Sequence, residues 1–127
     1  MDARLDEEQE RLRDAAREFL SRECPMSFVR EMMEDPAGIT APVWKQLAEL
    51  GWTGLVVPEA HGGAGLGWLD LAVLFEETGA ALLPGPLFST VALGGNVIAR
   101  AGTPAQHERW LPRLAAGELR ATLALQE

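Results

Sequence analysis

Between Leu50 and Asp70 the chain reads LGWTGLVVPEAHGGAGLGWLD, so two apolar helical patterns are joined by a loop crowded with glycine. Gly51 suits a helix C-terminal position with positive φ, and Pro58 removes one backbone donor. Gly62, Gly63, Gly65 and Gly67 then permit a close, sharply turning backbone that bulky residues would forbid. A dinucleotide fingerprint needs G-x-G-x-x-G between a strand and a helix, but here Trp68 stands where the last glycine belongs. A phosphate loop of the G-x-x-x-x-G-K-[ST] type fails as well, because Lys45 is the only lysine and lies before the loop. These glycines read as a structural turn.

The flanking patterns are helical. Asp6 with Gln9 three residues later makes a capping-box start, and Glu7 and Glu8 favour the positive end of the helix dipole. Leu12, Ala16, Phe19 and Leu20 then form one face, with Arg11, Arg13, Arg17 and Glu18 on the other, up to about Arg22. A short helical piece over Met26 to Met33 precedes Asp35-Pro36-Ala37-Gly38. Thr40 caps the next helix, in which Val43, Trp44, Leu47 and Leu50 recur until Gly51. From Trp68 to about Leu83 the pattern is apolar around most of the circumference, which predicts a central buried helix. Glu76 and Glu77 interrupt it; adjacent helical positions point about 100° apart, so they read as arginine partners or a solvated edge rather than as an acid/base pair. Pro84-Gly85-Pro86 starts another helix running to Ala101, where Gly94 and Gly95 weaken propensity by about 1 kcal/mol each and so imply a close approach by a helix backbone or a ligand. Thr103, Pro104 and Gln106 open a last helix, buried through Trp110, Leu111, Leu114 and Ala115, kinked by Pro112 and stopped by Gly117. Beyond it Leu119, Ala121, Leu123 and Leu125 alternate with Arg120, Thr122, Ala124 and Gln126, a strand period. A lone strand has nothing to pair with, so the chain reads as 1–118, a helical domain, plus 119–127, the start of a β-domain whose remainder is absent.

Composition narrows the partners. A net charge of −8 repels phosphate backbones and anionic membranes, so neither nucleic acid nor a membrane is expected. Thr78 to Ala99 carries no charge, but Pro84, Gly85, Pro86, Gly94 and Gly95 divide it into pieces too short for a bilayer needing about 20 residues. The single Cys24 forms no internal disulfide, and the acidic N-terminus lacks a signal-peptide pattern, which points to the cytoplasm. His61 and His107 are the only histidines and lack ligand spacing, so no metal site is expected.

The loop and its flanks strongly resemble the acyl-CoA dehydrogenase family, in which "A-E-L-G-W" is followed by "G-[LI]-x-[VI]-P-E-x-x-G-G-x-G-L-G" and a long buried helix. A second motif, "E-R-W-L-P-x-L-A-A-G-E" from Glu108 to Glu118, is similar to the family's "K-x-[RK]-x-L-P-x-[LI]-A-x-G-E". The resemblance covers essentially the whole chain. It implies an all-α amino-terminal domain, an orthogonal bundle of about five to six helices, ending in the first strand of a middle β-domain. It further implies a flavoenzyme in which this domain, the β-domain and a carboxy-terminal helical domain enclose FAD and an acyl-CoA thioester. The glutamate base of such enzymes lies in the carboxy-terminal domain, so this chain holds no catalytic residue. By position, Leu123, Leu125 and Gln126 are the flavin-facing candidates, with Gln126 replacing the usual threonine of "[AC]-x-[AC]-[LVM]-T-E-P". Leu87, Ser89 and Thr90 are candidates for the acyl-pocket wall. Homo- or hetero-oligomers follow from the same likeness. From the residues alone, a stand-alone helical interaction module or an inactive dehydrogenase subunit is also open.

Overall fold

A computed structural model describes residues 4–126 and, among them, contains six α-helices and no strand. These are α1 (Glu7–Glu23), α2 (Met26–Glu34), α3 (Ala41–Glu49), α4 (Trp68–Ala80), α5 (Asn96–Ala101) and α6 (Pro104–Ala115). A single 3-10 turn, Glu59–His61, and a π-helical stretch, Ser89–Gly95, complete the order. The chain divides into two compact units, the first formed by residues up to Gly38 with Trp68–Pro84, the second by Ile39–Gly67 with the chain from Gly85 onward.

In the first unit α1 begins as its sequence dictates. Asp6 accepts from the Gln9 N–H at 2.8 Å while the Gln9 carboxamide oxygen accepts from the Asp6 N–H at 3.2 Å. The same Gln9 amide donates to Asp70 at 3.0 Å, Arg17 pairs with Glu77, and the Cys24 thiol donates to the Ala81 carbonyl at 3.7 Å. Partner numbers rise together along both helices, so α1 and α4 lie side by side and run in the same direction. Ala16, Phe19 and Leu20 of α1, Val29 and Met32 of α2, and Leu71, Val73 and Leu74 of α4 are buried. Two expectations need correcting. α4 is not buried all round, since Leu69 is 75% exposed and Trp68 is also exposed. It also stops at Ala80, where Leu82 takes a left-handed φ of 53°. The Leu82 N–H then bonds the Gly79 carbonyl and the Leu83 N–H the Thr78 carbonyl, which satisfies carbonyls that the helix end leaves open.

In the second unit Thr40 caps α3 and Gly51, at φ 80°, ends it with the same paired bonds, Gly51 N–H to Ala48 and Trp52 N–H to Leu47. The glycine loop folds back on itself: Ala64, Gly65 and Leu66 donate to Gly54, Val57 and Leu55. Gly63 is indispensable to that close approach, because a β-carbon there would stand 2.0 Å from the Val57 carbonyl oxygen. Thr103 and Gln106 form the expected capping box on α6, which runs through Pro112 to Gly117 at φ 73°. Val57, Leu111 and Leu114 make a buried cluster, against which Ile98, Ala99, Ala115, Leu119 and Ala121 pack.

Candidate functional site

The expected Pro86 to Ala101 helix is present but partly π-wound, with i→i+5 geometry over Ser89–Gly95 before it tightens into α5. This winding places Thr90 and Gly94 on one side, facing the terminal segment. Thr90 is 0% exposed, and its hydroxyl accepts the Ala121 N–H at 3.2 Å. Gly94 is the close approach that its sequence implied: a β-carbon there would lie 2.5 Å from the Ala121 β-carbon and 2.8 Å from the Thr122 nitrogen. The approaching element is the protein's own extended segment, neither the helix backbone nor the ligand that the glycines suggested.

The segment after Gly117 is anchored from its start. Trp44 Nε1 donates to the Gly117 carbonyl at 2.8 Å, and the Thr53 hydroxyl donates to the Ala115 carbonyl at 2.9 Å. The Arg120 guanidinium lies over the Trp44 ring at 4.8 Å, a cation-π contact on the outward face. Leu119, Ala121 and Leu123 are half-buried while Arg120, Thr122 and Ala124 are exposed, so the period-two reading holds that far. It fails at Leu125, which is 84% exposed rather than turned inward. No ladder forms over 119–126, because a strand exists only with a partner and the described residues supply none. Among the described residues the backbone of 122–126 makes no hydrogen bond.

The sequence-derived candidates therefore sit unequally. Leu123 is half-buried, and Leu125 and Gln126 are exposed at the end of the described segment. Leu87 is buried, and the Ser89 hydroxyl donates to the Pro86 carbonyl at 3.1 Å. Thr90 belongs to the same helix but its hydroxyl engages the terminal segment. A cleft of about 320 Å³ in the first unit is lined by Arg17, Leu20, Cys24, Met26 and Glu77, and one of about 310 Å³ in the second by Val97, Ile98, Gln106 and Trp110. Neither includes Leu87, Ser89 or Thr90. The two histidines, distant in sequence, meet edge to face with ring centroids 6.0 Å apart. His107 Nε2 lies 2.9 Å from the Ile98 carbonyl, an acceptor, which assigns its proton to that nitrogen. Among the described residues no group of three His, Cys, Asp or Glu side chains converges.

The described residues thus form a helical domain with an anchored, extended segment over 119–126. Residues 6–118 match the family model for the acyl-CoA dehydrogenase N-terminal domain. The acyl-CoA dehydrogenase FadE12 of Mycobacterium tuberculosis is 37% identical over 91 residues, covering 69% of this chain and 23% of that protein. A variant of the Tcur3481-Tcur3483 steroid ACAD superposes with a TM-score of 0.84 at 37% identity, over 95% of this chain and 33% of the other. An acyl-CoA dehydrogenase complexed with FAD from Bacillus anthracis gives 0.80 at 26% identity, over 92% and 20%. The chain belongs to the acyl-CoA dehydrogenase family and forms its N-terminal domain. It spans about a quarter of the relatives' length, 23% in FadE12.

Proposed function

We propose that this domain serves an FAD-dependent acyl-CoA dehydrogenase that introduces a double bond between the α and β carbons of an acyl-CoA thioester. The family match over residues 6–118 carries this reading. The residues present suit a flavin. The extended backbone of 122–126 keeps its N–H and C=O groups available, Ala124 leaves it approachable, and the exposed Gln126 amide both donates and accepts. The flavin, when bound, supplies the hydride acceptor. This chain's part is to orient and enclose: Leu123 and Leu125 offer apolar surface, Gln126 a polar contact, and Leu87 with Ser89 a stretch of acyl-pocket wall. No general base is assigned to it. Cytoplasmic location and assembly into homo- or hetero-oligomers belong to the same proposal. No helix among the described residues is long and apolar enough to cross a membrane.

The test is the product of the complete reading frame. Purified protein should carry bound flavin whose visible absorption bleaches anaerobically on adding a member of an acyl-CoA panel. A flavin-free product, or one that no acyl-CoA reduces, refutes the dehydrogenase; a frame ending after Glu127 favours a stand-alone interaction module.

A further inference from the structure

We propose that Thr90 and Gly94 are positioning residues that set the register in which the backbone from Ala121 to Gln126 is presented to the flavin, an inference that rests on the flavoenzyme reading above. The two act on the same point by different means. The buried Thr90 hydroxyl accepts the Ala121 N–H at 3.2 Å, a polar pin with direction. Gly94 removes the β-carbon that would otherwise stand 2.5 Å from that of Ala121, which lets the segment seat against the helix. Among the described residues the backbone beyond Ala121 makes no hydrogen bond, so the Thr90 hydroxyl is the last described polar contact that fixes where the segment leaves the helical domain. Side-chain direction along extended backbone alternates, and a slip of one residue turns every side chain to the opposite face. Such a slip would present Ala124 in place of Leu123 and Gln126 in place of Leu125. Thr90 also rides on the π-wound stretch that begins two residues after Leu87, so a displacement of the acyl-wall helix reaches the flavin-facing edge through one hydroxyl.

The pin has a test that needs no flavin. In the 127-residue chain, amide exchange at Ala121 should be roughly tenfold faster in Thr90→Val, which keeps the shape and removes the acceptor, and near wild type in Thr90→Ser. In the flavin-loaded enzyme Thr90→Val should weaken FAD binding at least about fivefold and shift the flavin absorption envelope, with Thr90→Ser restoring both, since loss of one net hydrogen bond is worth up to about tenfold. A merely structural threonine would change the melting temperature and leave the spectrum alone. Should Thr90→Val not fold, Gly94→Ala displaces the segment while keeping the hydroxyl, and is expected to move exchange and spectrum in the same direction. Unchanged exchange overturns the pin; faster exchange with wild-type FAD affinity and spectrum overturns the positioning role. Wild-type enzyme without flavin refutes the flavoenzyme reading, and the exchange comparison still decides the pin separately.

Discussion

Arg17 holds both carboxylate oxygens of Glu77, Nε to Oε2 at 3.0 Å and Nη2 to Oε1 at 2.6 Å, across a sequence separation of 60 residues. Glu77 is only 8% exposed, whereas the arginine side chain lies mostly in solvent. The pair is a two-pronged, charge-assisted clamp between α1 and α4. The hydrogen bond to Glu77, then its charge, pushes the guanidinium still higher than its ordinary range, so the arginine stays ionised at every working pH. Arg17→Leu leaves a nearly buried carboxylate without its partner, and removing one partner of such a pair is worse than replacing both. Urea unfolding should therefore show a larger loss for Arg17→Leu than for Arg22→Leu, whose partner Glu23 is its exposed-side neighbour. Arg17→Lys should fall between, since an ammonium cannot make the fork. Equal midpoints for all three variants would remove the clamp from the account.

Two glycines outside any proposed site should respond in opposite directions. Gly63→Ala drives a β-carbon to within 2.0 Å of the Val57 carbonyl, and relieving that clash should destabilise by about 3 kcal/mol. Gly79 lies inside α4 with no atom near its β position, so Gly79→Ala should gain about 0.5–1 kcal/mol from helix propensity. Denaturant midpoints of the two variants check both signs at once.

Leu82 occupies the left-handed position that ends α4, the role Gly51 and Gly117 play for α3 and α6. A β-carbon makes this conformation unfavourable by about 1 kcal/mol, and the side chain is 59% exposed, so it gives little back. Leu82→Gly should stabilise the chain by up to about 1 kcal/mol, less the unfolded-state entropy that glycine adds. A clear loss of stability would show that the exposed leucine makes a contact worth more than the strain.

What was legible in the sequence follows the reach of each signal. Asp6 with Gln9, Thr40, Thr103 with Gln106, Gly51 and Gly117 act within a turn of themselves, and each helix boundary they mark was found. The end of α4 was missed because Leu82 does a glycine's work. The paired glutamates were read together, yet only position gives Glu77 to Arg17 and leaves Glu76 exposed. Gly94 announced a close approach without naming the visitor, since Ala121 is remote in sequence. The π winding was invisible because i→i+5 turns have no residue signature of their own, and the bond that Thr90 accepts from Ala121 joins residues too distant in sequence to be read as a pair. Leu125 broke the alternation because a strand face is defined by what covers it, and nothing described covers Leu125.

The remaining prediction concerns pH. Cys24 is buried with its thiol directed at the Ala81 carbonyl, and burial pushes its pKa upward. Below the ordinary thiol pKa of about 8.5, folded and unfolded chains both keep the proton and the full stabilisation is present. As pH rises past that value the unfolded chain ionises first, and stability falls until the folded thiol also titrates. Wild-type unfolding free energy should decline between about pH 8 and pH 10 more steeply than that of Cys24→Ala. The comparison of slopes isolates the thiol from other groups titrating in that window and from the small cavity the variant leaves. A thiol-specific disulfide reagent should likewise label the native chain much more slowly than the denatured one at equal pH. Identical slopes and equal labelling rates would mean that Cys24 reaches solvent in the native chain.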